Sequence, residues 1–344
     1  MNDLTERQKL VLALVIHEYV ETAQPVGSVH LVDHFNLEVS SATVRNELVA
    51  LTEMGYLRQP HTSAGRVPTE EGYRYFVRQI MGNTDLPVPT KRTITHQFYQ
   101  AGNDVDHWMR LAASVLAHQS QAASLVTSPL PERTGFKHLE LISTHGRQVL
   151  MVVVFTGGEV QQQMLSLAEP VSQPQLSAAA SHINELCQGL DSENLAAISS
   201  QMNALEQDIL KLIREEMLRP SHVLAGEVYR DGLTNMLGEP EFAEARVARN
   251  ALRVLEERPF LEDLLSRTVS NSGIGGVQVL IGGEGTWEEL RDCSIVLARY
   301  GEPGLATGAL GVLGPIRMAY GRTISTVRFV AGLLSELVVE NLAE

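Results

Sequence analysis

Apolar positions near the start of the chain recur at helical spacing. Leu10, Val11, Leu14, Val15 and Ile16 form a broad apolar face on a helix that Thr5 can cap and that runs to Glu21, before Pro25 and Gly27 interrupt it. Ser28 stands where a cap for a short second helix belongs, with Val29, Leu31 and Val32 behind it. Asn36, in Phe35-Asn36-Leu37, suits a left-handed turn. A third helix is predicted from Ser40 or Ser41, because Val44, Leu48 and Leu51 fall at i, i+4 and i+7 on one stripe. Beyond Gly55 the pattern turns extended: Tyr56 to Pro60 and Arg66 to Pro68 flank the polar turn His61-Thr62-Ser63-Ala64-Gly65, which predicts a β-hairpin. Thr69 can cap a fourth helix whose Tyr73, Phe76, Val77 and Ile80 share a face. Three helices, a hairpin and a closing helix over residues 1–82 make a winged helix-turn-helix.

The remaining pattern is mixed. Residues 83–104, with Pro87 and Pro89, read as a linker holding a short helix near Thr95 to Gln100. Trp108, Leu111, Ala112, Val115 and Leu116 mark an amphipathic helix. Strands follow at Leu125 to Thr127, Leu139 to Ser143, Val149 to Phe155 and Gln161 to Leu165, with Gly157-Gly158 as a hairpin turn. Helical patterns fill most of Pro174 to Arg267. Among them Met202, Leu205, Ile209, Leu212, Ile213 and Met217 form a stripe that suits a core or a dimer seam. Strands return at Val277 to Ile281, Ser294 to Tyr300 and Thr307 to Leu313, and a long helix carrying Ile324, Val327, Ala331, Leu334 and Val338 closes the chain. The expected class is α+β, with an antiparallel-sheet domain over 105–155 and 225–344 split by a mainly helical insertion over 156–224.

Composition narrows the function. The 344 residues are 44% hydrophobic, 5% aromatic and 20% charged, which describes a globular protein with real cores. The N-terminus is polar and acidic, and no apolar run reaches the ~18 residues of a membrane span, so a cytoplasmic protein is expected. Cys187 and Cys293 stand far apart, which suggests small buried residues rather than a disulfide framework or a zinc site. A net charge of −14 excludes a general nucleic-acid coat protein, whose affinity comes from cations neutralising phosphates. Residues 1–82 hold seven Lys or Arg against ten Asp or Glu, so the acidic excess lies mostly outside the head.

Sequence-specific recognition needs only a few well-placed groups. Opposite the Val44 stripe the third helix presents Ala42, Asn46 and Val49, with Ser41 at its start and Thr43 and Arg45 on the flanks. Asn pairs bidentately with adenine, Arg with guanine, and Ala, Val or a Thr methyl contacts the thymine methyl. The plain alternative is an ordinary polar helix face. On the hairpin, Arg58, His61, Thr62, Ser63 and Arg66 can reach the DNA backbone or minor groove.

The run Val39-Ser40-Ser41-Ala42-Thr43-Val44-Arg45-Asn46-Glu47-Leu48, then Glu53-Met54-Gly55-Tyr56-Leu57, Gln59-Pro60-His61-Thr62-Ser63-Ala64-Gly65-Arg66-Val67-Pro68 and Gly72-Tyr73-Arg74, resembles the bacterial heat-inducible transcription repressor family HrcA. A second block agrees: Ile281-Gly282-Gly283-Glu284, Asp292-Cys293-Ser294 and Gly311-Val312-Leu313-Gly314-Pro315-Ile316-Arg317-Met318 resemble that family's C-terminal signature. One departure is Ala319, where the family usually has an acid before the Tyr320 position. The resemblance implies a winged helix, a GAF-like domain and an inserted dimerising segment. It also implies a homodimer that represses chaperone operons through the inverted repeat CIRCE on double-stranded DNA, and a GroEL-type chaperonin that maintains its activity.

Catalytic, cofactor and metal constellations are not found. His17-Glu18 lacks the second histidine of a zincin. His30 and His34, at i, i+4, offer two ligands on one helix, a pairing usually coincidental. Gly273, Gly275, Gly276, Gly282, Gly283 and Gly285 lack the Gly-Lys-Ser/Thr ending of a phosphate cradle and fit turns between sheet elements. Two rival readings are a metabolite-sensing regulator that uses the GAF-like domain and an enzyme fused to a DNA-binding head.

Overall fold

The computed structural model describes residues 4–62, 64–82, 84–102, 104–131, 135–156, 160–218, 227–269, 273–303 and 305–342. The chain forms two compact units. One comprises Met1–Ser128, Glu227–Tyr300 and Ala309–Leu337, and the other Pro129–Gly226, Gly301–Gly308 and Val338–Glu344.

The first unit opens with α1 (Glu6–Thr22), α2 (Ser28–Phe35) and α3 (Ser41–Glu53). Thr5 starts α1 in a reciprocal capping box: its hydroxyl accepts from the Gln8 amide at 3.2 Å, and its own amide donates to the Gln8 side chain at 3.0 Å. Ser28 does not cap α2. Gly27 takes the extended cap conformation with no side-chain bond, and Ser28 is the first helical residue. The Gly-Ser pair leaves the boundary open by one residue, and the smaller residue takes the non-helical position. Asn36 closes α2 at φ 48°, as its side chain suits. Ser40 caps α3, its oxygen accepting from the Thr43 amide at 3.1 Å.

The hairpin follows as β1 (Leu57–Arg58) and β2 (Val67–Pro68), antiparallel and only two residues long, then α4 (Glu70–Tyr75), which Thr69 caps. Val11, Leu12, Val15, Ile16, Leu31, Val44, Leu48, Leu51 and Leu57 are all buried in this N-terminal head.

Most of the expected linker is helix: α5 spans Val88–Gln100, with Pro89 in its first turn and Ile94 and Phe98 buried at i, i+4. A proline there lacks only an amide that has no helical partner, so it starts the helix rather than breaking it. Asp104 caps α6 (Val105–Ser120), which leads into β3 (Ala123–Thr127).

The second unit contains β4 (Leu130–Pro131), β5 (Phe136–His145), β6 (Gln148–Phe155) and β7 (Val160–Ser166), then α7 (Gln173–Cys187), α8 (Ser192–Ile198) and α9 (Ala204–Leu218). Strands β5, β6 and β7 pair as an antiparallel meander. The sequence pattern groups the first two with the larger sheet of residues 105–155, whereas they form a sheet of their own. Alternation shows which face of a strand is buried, not which sheet buries it. The expected Gly157-Gly158 turn lies outside the described residues. Leu139, Leu141, Val149, Met151 and Val153 form one core with Leu176 and Ile183 of α7 and Ile209, Ile213 and Met217 of α9. The Met202 to Met217 stripe is therefore core.

The chain then returns to the first unit through β8 (Val228–Asp231), α10 (Leu233–Leu237), α11 (Ala245–Glu256), α12 (Arg258–Thr268), β9 (Val277–Ile281), β10 (Cys293–Glu302), β11 (Ala306–Pro315) and α13 (Tyr320–Leu342). The large sheet runs β8-β3-β11-β10-β9, with antiparallel registers such as Leu125 opposite Arg230 and Val296 opposite Val279. Strand β8 lies inside the segment expected to be helical; four residues carry too little alternation to announce it. The class is α+β, as the pattern predicts. Among the described residues no helix is long and apolar enough to cross a membrane. Both cysteines are buried: burial pushes the Cys187 thiol up to about 11, and burial with Asp292 beside it pushes Cys293 up to about 12. The neutral thiol is the form present at ordinary pH, which is the unreactive one.

Candidate nucleic-acid interface

Helix α3 is anchored from behind and open in front. Val44, Leu48 and Leu51 are no more than 4% exposed, on the side that meets α1 and α2. Glu47 extends that anchoring face: it is buried, and its carboxylate accepts from Arg7 Nε at 2.6 Å, tying α3 to the first turn of α1. The opposite side carries Ala42, Arg45 and Asn46, all exposed, and Val49 at 40% exposure. Ser41 and Thr43 are half-buried at the helix start, and the Thr43 hydroxyl lies 3.0 Å from Ser40 Oγ. These six residues thus share the N-terminal end and outer face of one rigidly held helix. Arg7 is invisible to local pattern because its partner lies forty residues away.

The hairpin is pinned at both ends. At its tip, Gln59 Nε2 donates to the carbonyls of Thr62 at 2.9 Å and Ala64 at 3.0 Å, closing a turn on which His61 and Thr62 are exposed. Gln59 carried no sequence signal for this role beyond its place before the turn. Ser63 lies outside the described residues. At its base, Arg66 exchanges backbone hydrogen bonds with Val26 at 2.8 and 2.9 Å, while its Nε donates to Thr52 Oγ1 at 2.9 Å. Arg66 is therefore half-buried and braces the hairpin against the far end of α3. Gly65 permits this approach, since a Cβ there would stand 2.4 Å from the Val26 carbonyl oxygen.

Arg58 lies elsewhere. It lines a cleft of about 650 Å³ together with Tyr19 and Arg74 of the head and Glu241, Arg291 and Arg317 from later segments of the same unit. Six of the eleven predicted residues sit on the α3 face, and His61 and Thr62 on the hairpin tip. Arg66 acts as a brace and Arg58 faces the cleft.

The same region shows how the head is seated. Arg74 of α4 donates through Nη2 to the Ile281 carbonyl at 2.7 Å and to Glu70 at 2.8 Å, and Glu284 stands 3.9 Å from its Nε. Gly282, Gly283 and Glu284 all take positive φ, at 66°, 67° and 47°, which turns the chain beneath Arg74. These glycines thus shape a seat for α4. Nearby, Arg317 donates to Glu241 at 2.6 Å, to Glu239 and to the Val20 carbonyl at 3.0 Å. Burial, with Tyr320 beside it, holds the Tyr73 hydroxyl well above the ordinary phenol range. The Tyr320 hydroxyl donates to the Ile316 carbonyl at 2.7 Å, so the Ser294 hydroxyl, also at 2.7 Å, is the donor in their mutual bond. Ala319 is exposed just before α13, and its carbonyl accepts from the Thr323 amide at 3.0 Å. An acid there would act as a helix cap, which alanine cannot do.

The motifs at both ends of the chain therefore meet in one unit. The model of the HrcA protein C-terminal domain matches residues 106–324. The heat-inducible transcription repressor HrcA of Roseiflexus castenholzii is 45% identical over 346 residues, covering 98% of this chain and 95% of that protein. Its counterpart in Chloroflexus aurantiacus is 44% identical over 352 residues, covering 98% and 94%. A crystal structure of a hypothetical protein, 22% identical, aligns over 98% of this chain and 100% of its own at a TM-score of 0.59, a likeness of fold. With a family model spanning most of the chain and full-length relatives above 40% identity, the chain belongs to the heat-inducible transcription repressor HrcA family.

Proposed function

We propose that this protein represses heat-shock chaperone operons by binding the inverted-repeat operator CIRCE as a homodimer, and that a GroEL-type chaperonin maintains its activity in the cytoplasm. The head works as a winged helix-turn-helix over residues 1–82, with α3 as the recognition helix, and the large sheet is the GAF-like domain. The observation that carries the reading is the outer face of α3: Ala42, Arg45, Asn46 and Val49 are exposed on a helix whose opposite stripe is buried. That face suits base edges in a major groove, and the names of the relatives agree with it.

One head reads a short half-site, so a two-fold dimer on an inverted repeat multiplies the contacts. The inserted unit supplies the seam. On the β5-β6-β7 sheet the face away from the core carries Ile142, Leu150 and Met164 in one cross-strand row and Val154 opposite Val160 two rows along, with Glu140, Val152 and Gln162 in the row between. Ile142, Met164 and Val160 are 45%, 54% and 50% exposed, apolar side chains that a second copy would cover.

Anisotropy titrations at fixed salt test the reading with three duplexes, matched repeat, shuffled repeat and single half-site, the matched repeat being titrated also with chaperonin added. Preference for the matched repeat over the half-site by roughly a hundredfold is expected, strengthened by chaperonin. Equal affinity for matched and shuffled duplexes removes the repressor reading. Ile142→Glu should halve the mass seen by light scattering and abolish the advantage of two half-sites over one; an unchanged dimer moves the seam elsewhere.

A further inference from the structure

A buried carboxylate on α1 is left half-satisfied beneath two histidines of α2. Glu18 is only 6% exposed, yet among the described residues one of its oxygens, Oε2, has no hydrogen-bond partner. Its other oxygen lies 2.8 Å from His30 Nε2, and His34 Nε2 stands 3.9 Å from the orphaned one. The two imidazole rings stack with centroids 5.3 Å apart and planes 25° from parallel, so both turn a ring nitrogen toward the same carboxylate. The three donor atoms lie within 4.8 Å of one another.

Burying a carboxylate oxygen that no donor reaches is costly, and the cost is removed when something positive fills the gap. Another buried acid, Glu206, shows the satisfied case. Glu206, 5% exposed, accepts from the Asn203 amide at 2.9 Å with one oxygen and faces His182 Nδ1 at 3.1 Å with the other. It has one histidine and no orphaned oxygen, whereas Glu18 has two histidines and one orphan.

We propose that Glu18, His30 and His34 form a binding site for a divalent transition cation of the zinc type, with an open coordination position toward solvent. Two imidazoles and a carboxylate are a donor set that zinc accepts, and metal bonds of about 2 Å put neighbouring donors a little over 3 Å apart, so donors already within 4.8 Å of one another need only a small inward turn of the half-exposed rings. Both histidines are half-exposed, at 50% and 53% of their side chains, so an ion has a path in. The spacing of His30 and His34 alone is coincidence-prone. What changes its meaning is the third donor, brought from another helix and already stripped of water. A bound ion would clamp α2 to α1, the two helices that carry α3.

The test uses the full chain freed of metal by chelation, then titrated with Co2+ and separately with Zn2+ by calorimetry. One ion per chain is expected, with visible ligand-field bands of low-symmetry cobalt and a rise in melting temperature on adding zinc. His30→Ala and His34→Ala each remove an exposed side chain, so both should fold, and each should lower the affinity by roughly tenfold or more. His182→Ala should leave it unchanged. Absence of a stoichiometric ion, or equal affinity in the double variant His30→Ala/His34→Ala, overturns the site. Loss of binding in His182→Ala instead would overturn it in favour of the Glu206 cluster.

Discussion

Replacing Arg45 and Asn46 together by alanine should weaken binding to the matched repeat by about 2 to 5 kcal/mol, roughly thirtyfold to several thousandfold, while leaving the melting temperature almost unmoved. Each side chain is exposed and each can form a bidentate pair with one base, worth about 1 to 3 kcal/mol of discrimination. Surface substitutions of this kind change stability by no more than about 0.5 kcal/mol, so folding and recognition separate cleanly. Shuffled DNA should lose far less affinity, because phosphate contacts remain. Arg66→Ala provides the contrast. Its guanidinium braces Thr52 at the end of α3, so its loss should loosen the hairpin and weaken binding to all duplexes alike. If the double variant holds the matched repeat as tightly as the parent, α3 is not the reader.

Local chemistry made the head legible. Thr5, Ser40 and Thr69 cap the helices that the apolar pattern assigns to them, Asn36 takes the left-handed turn, and the Val44-Leu48-Leu51 stripe is buried. Each of these depends on neighbours within one or two turns. What failed depends on distant partners. The strands at Leu139 to Ser143 and Val149 to Phe155 were visible as strands, but their sheet is chosen by the helices that cover them, and α7 begins nearly twenty residues after the second strand ends. Strand β8 gains its identity only by pairing with β3, a hundred residues earlier. In the candidate site the same division holds. The outer residues of α3 followed from helical geometry, whereas Arg58 turned out to line a cleft whose other wall comes from Glu241, Arg291 and Arg317.

Arg317→Met should destabilise the first unit by about 3 kcal/mol, measured by urea unfolding of the full chain. The side chain is only 11% exposed and donates at once to Glu239, Glu241 and the Val20 carbonyl at the end of α1. Methionine keeps much of the volume and removes every donor. Two glutamates, 29% and 28% exposed, then lose the cation that is hydrogen-bonded to both, and breaking a largely buried pair in this way costs about 3 to 5 kcal/mol. Their partial exposure puts the expected value at the lower end. The loss comes chiefly from the abandoned acids, so adding Glu239→Gln and Glu241→Gln to Arg317→Met should recover most of it. Such recovery would not restore the bond to Val20. Hydrogen exchange at the C-terminal turn of α1 should therefore stay faster than in the parent even in the rescued triple variant. A triple variant as unstable as Arg317→Met alone would mean that the arginine stabilises mainly by holding Val20, and hence by seating the head on the large-sheet domain.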